Sequence, residues 1–166
     1  MGIKSILAKP VSRKLFSTIK KESSHPVEFQ NRVFKNLIEK GKNTRFGEDH
    51  HFSEIKTHDD FKKAVPIRDY EGLKHYVERI IAGEKDVLWP GKPLYFAKTS
   101  GTTSGTKYIP LTKDSIPNHI GSAKNALVSY IAQTGKSKFV DGKMIFLQGS
   151  PEMEETGGIP TGRLSG

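Results

Sequence analysis

The sequence contains no cysteine, which excludes disulfides, thiolate catalysis and cysteine-based zinc sites. It also lacks any apolar run approaching the ~18 residues that would indicate a transmembrane helix. The absence of cysteine is compatible with a reducing compartment, and we expect a cytoplasmic protein. With 166 residues, of which 34% are hydrophobic and 27% charged, the chain has the length of one domain or of one large piece of a longer protein.

Acidic residues are scarce relative to basic ones, and the imbalance is concentrated at the N-terminus. The chain has 27 Lys and Arg residues against 18 Asp and Glu, for a formal net charge of +9. Residues 1–24 hold six basic residues and one acidic residue, Glu22, so this segment alone carries five of those charges. Because no nucleic-acid-binding signature accompanies the rest of the chain, we expect no nucleic acid among the partners. The sequence does not indicate an oligomeric state.

The first 24 residues are predicted to form a basic amphipathic helix of their own. Leu15, Phe16 and Ile19 are expected to face inward. The acid-free composition of residues 1–21 also resembles a transit peptide, which stays open as an alternative. Ile6 stands where a myristoylation signal requires Ser or Thr, which argues against that modification.

Helical patterns continue to about residue 82. Apolar spacing after Pro26 predicts a helix that Gly41 ends, and a second predicted helix runs from about Tyr70 to Ala82. Residues 57–60, Thr-His-Asp-Asp, fit the capping-box pattern and predict a short helix over residues 61–64.

Residues 43–55 contain turn-forming residues and are predicted to be irregular. Within them, Asp49, His50 and His51 are interpreted as a surface loop rather than a metal site. Adjacent histidines point apart, and no third ligand has the spacing that zinc requires.

Strand patterns begin after residue 90. The segments 94–98 and 108–111 are predicted to be strands, followed by a helix that Thr112 caps and Gly135 ends, and then by a buried strand over 144–149. The segment from Ser150 to the last residue is predicted to be a loop, and the chain is expected to stop inside a structural unit. Helices followed by strand–loop–strand–helix–strand predict an α/β fold.

A run of Gly, Ser and Thr joins the first two predicted strands. The stretch TSGTTSGTK, residues 99–107, offers hydroxyls, flexible backbone amides and one cation. Because the flanking segments are predicted strands, we favour an anion-binding loop over a flexible linker. The Walker, dinucleotide and nucleophile-elbow patterns are all absent from it.

The loop does match the pattern [ST]-S-G-[ST]-[ST]-x-x-x-K and resembles the phosphate loop of acyl-adenylate-forming enzymes. The matching residues are Thr99, Ser100, Gly101, Thr102, Thr103 and Lys107. Many acyl-CoA synthetases read T-S-G-T-T-G-x-P-K-G. Here Ser104 and Gly105 stand in the sixth and seventh places, Thr106 replaces Pro, and Tyr108 replaces the last Gly. Together with NTRFGEDHHFSEI, AVPIRDYEGLKHYVERIIAGE and GGIPTGRLSG, the loop resembles the auxin-responsive promoter family, in a bacterial-type member, from about residue 25 onward.

The resemblance implies an acyl-acid amido synthetase. Such enzymes activate a carboxylic acid with MgATP as an acyl-adenylate, and an amino acid then displaces AMP to form an amide. Residues 25–166 would be an incomplete part of the large N-terminal adenylation-type domain, inactive alone. The implied cofactors are ATP and the Mg²⁺ that accompanies it, with no protein ligand for the metal identified. The implied phosphate-binding residues are Thr99, Ser100, Gly101, Thr102, Thr103, Ser104 and Gly105, with Lys107 as the catalytic cation.

Residues Gln148, Gly149 and Ser150 follow a predicted strand at its carboxyl end, where α/β proteins bind ligands. They are therefore candidates for lining the acyl pocket. Two other functions stay open. An acyl-CoA ligase shares the same loop chemistry, and a basic, non-catalytic binding module would use the Gly/Ser/Thr run as a linker.

Overall fold

The computed structural model describes residues 2–99, 105–143, 145 and 152–163, and these combine helices with one mixed sheet. The helices are α1 (Ile3–Ser23), α2 (Pro26–Gly41), α3 (Arg45–Asp49), α4 (His58–Ala64), α5 (Tyr70–Ile81) and α6 (Ile116–Thr134). The strands are β1 (Tyr95–Thr99), β2 (Lys107–Leu111), β3 (Glu154–Thr156) and β4 (Ile159–Gly162), and short 3₁₀ helices span Phe52–Glu54 and Lys138–Asp141. This content confirms the predicted α/β class.

The chain divides into two units. Unit 1 comprises Met1–Gln30 and Asp114–Leu147, and unit 2 comprises Asn31–Lys113 and Gln148–Gly166. The predicted segment 1–24 falls within the first part of unit 1, and its status as a separate region stays a prediction. Within the part of the chain that the structure describes, no helix is long and apolar enough to cross a membrane.

In unit 1, α1 packs against α6, and its first turn is fixed by polar contacts. The carboxylate of Asp141 accepts hydrogen bonds from the amides of Gly2 at 2.7 Å and Ser5 at 2.9 Å. The Ser137 hydroxyl donates to the Ser5 carbonyl at 2.9 Å. A carboxylate at a helix N-terminus satisfies amides that have no partner within the helix and complements the helix dipole.

The predicted inward side chains of α1, namely Leu15, Phe16 and Ile19, are half-buried. Helix α6 ends at Gly135 as predicted, with φ of 68°. The predicted N-cap Thr112 is wrong, because Ser115 occupies that position. A proline in the first turn needs no hydrogen-bond donor, so Pro117 at the start of α6 is tolerated.

The sheet belongs to unit 2 and has the order β2-β1-β4-β3. Strands β1 and β2 are antiparallel, whereas β1 and β4 are parallel, with Phe96 opposite Thr161. The predicted strand 144–149 lies outside the described residues except for Ile145.

The loop predicted at the end of the chain is wrong where the structure describes it, because β3 and β4 form a hairpin there. The two residues between the strands, Gly157 and Gly158, have φ of 59° and 75°. Two consecutive positive φ values are what the tightest hairpin turns require, and glycine supplies them at low cost.

Unit 2 is held together by two clusters of buried apolar side chains. The larger cluster contains Tyr76, Val77, Ile80, Val87, Phe96 and Ile159. The smaller one contains Ile38, Phe52 and Ile55. Helix α5 contributes one apolar face to the larger cluster, because Tyr76, Val77 and Ile80 are buried and Leu73 and Ile81 pack partly buried against them.

Sequence-encoded caps define the shorter helices. The capping box at Thr57 is present, with the Asp60 side chain accepting from the Thr57 amide at 2.8 Å. Residues 43–55, predicted to be irregular, instead contain α3 and a 3₁₀ helix. Helix α3 begins where the Thr44 hydroxyl accepts from the Gly47 amide at 3.0 Å.

The interpretation of residues 49–51 as a surface loop is wrong for His50. This side chain is buried, and its Nδ1 lies 2.7 Å from the Ala64 carbonyl oxygen. His51 remains exposed, with φ of 52°, at the junction between α3 and the following 3₁₀ helix.

Candidate functional site

The Gly/Ser/Thr run connects two paired strands of one sheet. Thr99 ends β1, Lys107 begins β2, and the two residues are opposite each other in the antiparallel register. The seven residues between them therefore connect the two strands of a hairpin. Of the candidate phosphate-binding residues, Thr99, Gly105 and Lys107 are described; Ser100, Gly101, Thr102, Thr103 and Ser104 lie outside the described residues.

Gly105 adopts a backbone conformation that favours glycine. Its φ is 81°, in the left-handed region that side chains with a Cβ rarely occupy. Among the described residues, no heavy atom lies within 4 Å of the position that a Cβ would take. The left-handed backbone conformation therefore accounts for the glycine at this position.

Lys107 lies against an aromatic ring. Its Nζ is 5.5 Å from the centroid of the Tyr70 ring, within the range of a cation–π contact. The hydroxyl of Tyr70 accepts a hydrogen bond from the Tyr108 amide at 2.9 Å. Tyr70 is the first residue of α5, so the start of that helix contacts two consecutive residues of β2.

Tyr70 is a residue whose place in the site the sequence analysis missed. The pattern around residues 68–70 indicates a helix start, and α5 does begin at Tyr70. Its partners Lys107 and Tyr108 are almost 40 residues away in the sequence, across the strand β1 and the loop. No local periodicity or motif spacing connects the two segments, so the contact arises only from the tertiary fold.

A second lysine at this end of β1 has a different environment. Lys98, opposite Tyr108 in the register, forms an ion pair with Glu154 of β3, with Nζ and Oε1 2.6 Å apart. Among the described residues, no carboxylate pairs with Lys107 in this way. The two lysines thus differ in whether a neighbouring carboxylate offsets their charge.

The segment GGIPTGRLSG contributes to the same sheet through its described part. Strand β4 pairs with β1, and the Tyr95 hydroxyl donates to the Arg163 carbonyl at 3.2 Å. A Cβ at Gly162 would overlap the Tyr95 hydroxyl, so glycine permits this close approach. The strand that leads into the Gly/Ser/Thr loop is therefore flanked by β2 on one side and β4 on the other.

The candidate acyl-pocket residues Gln148, Gly149 and Ser150 lie outside the described residues. A groove of about 410 Å³ does occur in unit 2, lined by Phe34, Lys35, Ile38, Glu39, Ile55 and Lys56. None of these residues belongs to the β1–β2 hairpin or to the candidate site. The groove therefore does not identify the acyl pocket.

Ionisable groups with shifted pKa values occur elsewhere in unit 2. Burial, reinforced by the hydrogen bond to Asp49, raises the pKa of Tyr76. A two-pronged contact with Arg79, at 2.6 Å for each oxygen, lowers the pKa of Glu84. Within the described part of the chain, no group of three His, Asp or Glu residues is arranged to hold a metal ion.

Comparison with known proteins gives concordant matches. Residues 15–166 match the model of the GH3 family N-terminal domain. The chain is 29% identical to jasmonoyl–L-amino acid synthetase JAR4 of Nicotiana attenuata over 105 residues, covering 61% of this chain and 18% of the relative. It is 40% identical to indole-3-acetic acid-amido synthetase GH3.15 of Arabidopsis thaliana over 62 residues, covering 36% of this chain and 10% of the relative.

The fold is also similar to a solved structure. The GH3.15 acyl acid amido synthetase superimposes with a TM-score of 0.77 at 20% sequence identity, over 90% of this chain and 27% of that chain. This likeness supports a common fold. The chain spans less than a third of the length of each of these relatives.

Proposed function

Because this chain belongs to the GH3 family, we propose that it is the N-terminal part of an ATP-dependent acid–amino acid ligase. The names of the matched relatives, a jasmonoyl–amino acid synthetase and an indole-3-acetic acid-amido synthetase, support this reaction class. In the proposed reaction, a carboxylate oxygen attacks the α-phosphorus of ATP and pyrophosphate leaves. The amine of an amino acid then attacks the acyl carbon, and AMP leaves as the amide forms.

The proposed phosphate-binding site is the β1–β2 hairpin connection. Thr99, the loop residues 100–104 and Gly105 would offer amides and hydroxyls to the triphosphate of MgATP, and Lys107 would offset the charge that develops on the leaving pyrophosphate. Preorganised donors at such a position are usually a major source of rate enhancement. The observation that carries the proposal is the register, because it sets Thr99 and Lys107 opposite each other at the two ends of the loop.

Two further roles, lining the acyl pocket and carrying Mg²⁺, are proposed for groups that lie outside the described residues. Gln148, Gly149 and Ser150 remain proposed for the acyl pocket. Mg²⁺ would be carried by the nucleotide phosphates rather than by a cluster of protein carboxylates.

We also propose a cytoplasmic location, where ATP and free amino acids are available. These 166 residues alone are proposed to have no catalysis at a useful rate.

The test is ATP–pyrophosphate exchange by the full-length protein with a panel of carboxylic acids. We expect Lys107→Ala to reduce exchange about 100-fold, the scale on which loss of one transition-state donor acts. Lys113→Ala is the matched control, because Lys113 is an exposed lysine just beyond β2. We expect that variant to retain wild-type exchange. Equal activity of Lys107→Ala and wild type would contradict the assignment of the site.

The acceptor is tested separately from activation. The activated acid is offered a mixture of amino acids and, in a parallel reaction, coenzyme A, and products are identified by mass spectrometry. The proposal expects an amide with at least one amino acid. A thioester without any amide would instead support the acyl-CoA ligase alternative.

A further inference from the structure

Two contacts from one side chain converge on the start of β2. The ring of Tyr70 lies under the Lys107 ammonium, and its hydroxyl accepts the amide hydrogen of Tyr108. From this geometry we propose that Tyr70 is a positioning residue that holds Lys107 for phosphate binding. The proposal rests on the function proposed above for Lys107.

The hydroxyl contact fixes the strand. Among the described strands, β2 is at the edge of the sheet, with β1 as its neighbour on one side. An amide of an edge strand that points away from the sheet needs a partner from another element or from water. Tyr70 supplies that partner for Tyr108, so the backbone next to Lys107 is tied to the first turn of α5.

The ring contact fixes the cation without cancelling its charge. A carboxylate near a lysine compensates its charge, as Glu154 does for Lys98. An aromatic face attracts the ammonium through its quadrupole and leaves the full positive charge available to a ligand. Tyr70 thus restricts where the Lys107 side chain lies while preserving the property that phosphate binding needs.

Core packing and a helix cap hold the Tyr70 side chain in place. Tyr70 packs partly buried against the larger core cluster, as does Tyr108, whose ring meets Phe96 edge-on at 5.9 Å. The Asp69 side chain caps α5 by accepting from the Gly72 amide at 3.0 Å. Because both partners are attached to one core, the distance between Tyr70 and β2 is held by packing as well as by the hydrogen bond.

The experiment is a double-mutant cycle in the full-length protein, with the dissociation constant of MgATP measured by calorimetry. Tyr70→Leu, which removes ring and hydroxyl, is expected to weaken MgATP binding about three- to fivefold, the scale of one partly exposed cation–π contact. Tyr70→Phe keeps the ring and is expected to weaken binding less. Tyr130→Leu, at a tyrosine of unit 1, is the control and should leave binding unchanged.

The decisive arm introduces Tyr70→Leu into Lys107→Ala. If Tyr70 acts through Lys107, the second substitution has little further effect on MgATP binding. The proposal would be overturned if Tyr70→Leu weakened MgATP binding in the Lys107→Ala protein as much as it does in wild type. It would also be overturned if Tyr70→Leu alone did not weaken MgATP binding. The melting temperature of each variant is measured alongside, because a purely structural role would lower it without any coupling to Lys107.

A spectroscopic arm separates this inference from the proposed function. In lysine-labelled full-length protein, the ε-methylene protons of Lys107 should be shifted upfield by the Tyr70 ring in wild type and in Tyr70→Phe. The shift should be lost in Tyr70→Leu. If it is absent from wild type, the positioning role is wrong. If it is present but Lys107→Ala binds MgATP normally, the phosphate-binding function is wrong and the positioning role falls with it.

Discussion

Unit 2 buries aromatic and branched side chains in two clusters, whereas unit 1 leaves many of its large apolar side chains exposed. In the described part of unit 1, the buried hydrophobic residues are Val128 and Ile131, and they are accompanied by the buried hydroxyl residues Ser5, Ser12 and Ser137. The exposed ones include Ile3, Ile6, Leu7, Val11 and Ile120. Apolar burial is the main source of folding free energy, so the described part of unit 2 has its own core on which the hairpin is built, whereas the described part of unit 1 buries fewer apolar side chains beside its polar contacts.

The largest expected effect is in the core of unit 2. Phe96 is fully buried, and Phe96→Ala should reduce the free energy of unfolding by about 3–5 kcal/mol because it removes a ring and leaves a cavity. In unit 1, Val128→Ala removes less buried surface and should cost about 2 kcal/mol or less. Chemical denaturation of both variants checks the contrast. If Val128→Ala reduced the free energy of unfolding as much as Phe96→Ala, or more, the contrast between the two units would be wrong.

An intermediate effect is expected at the β3–β4 turn of unit 2. Gly157 and Gly158 both have positive φ, but a Cβ at Gly157 would overlap the carbonyl of Ile81, whereas a Cβ at Gly158 would meet no atom of the described residues within 4 Å. Gly158→Ala should therefore cost about 1–2 kcal/mol for the left-handed backbone alone. Gly157→Ala should cost more, because backbone atoms must also move. Thermal denaturation of the two variants measures the difference. Equal melting temperatures would show that the backbone near Gly157 moves at no cost to stability.

The smallest expected effect is a pH dependence in unit 1. Hydrogen bonds from Ser5, and from the Gly2 amide, lower the pKa of the Asp141 carboxyl below its usual range. A group whose pKa is lower in the folded state stabilises the fold above its unfolded pKa, and this contribution is lost as the pH falls through the folded value. Asp141→Asn should therefore slightly lower the melting temperature at pH 7 and weaken its dependence on pH below about 4. If the melting temperatures of variant and wild type were identical at every pH, the Asp141 charge would not stabilise the start of α1.

Much of the helical structure could be predicted because its determinants are local. Apolar spacing, with Pro26 as the first residue and Gly41 as the last, defines α2, and the capping box at Thr57 defines the start of α4. In both cases the side chains that stabilise the element lie within or next to it. Strands β1 and β2 were predicted to within one residue for the same reason, since the Gly/Ser/Thr run separates them.

The elements that were missed depend on weaker local signals or on distant contacts. The Gly157–Gly158 pair is a hairpin signal that the turn-rich composition of its surroundings concealed. Thr112 was predicted as the N-cap of α6, but the helix begins three residues later, after Ser115, whose side chain makes no capping hydrogen bond. The buried His50 side chain contacts the Ala64 carbonyl, which is 14 residues away in α4, so no local pattern indicates this contact.

The candidate site was accessible to sequence reasoning only in part. The loop composition and the spacing of Lys107 are local and could be read directly. The pairing of Thr99 with Lys107 follows from the sheet register, and the contact with Tyr70 follows from the packing of α5 against β2. Such contacts are set by the tertiary fold, so residue patterns along the chain do not reveal them.

The most direct test of the central claim is a crystal structure of the full-length protein with a non-hydrolysable ATP analogue. We predict that the phosphates lie in the connection between β1 and β2, with Lys107 Nζ about 2.7–3.0 Å from a phosphate oxygen and its aliphatic stem against the Tyr70 ring. Phosphates bound elsewhere in the protein, with Lys107 and the amide of Gly105 directed away from them, would contradict the account.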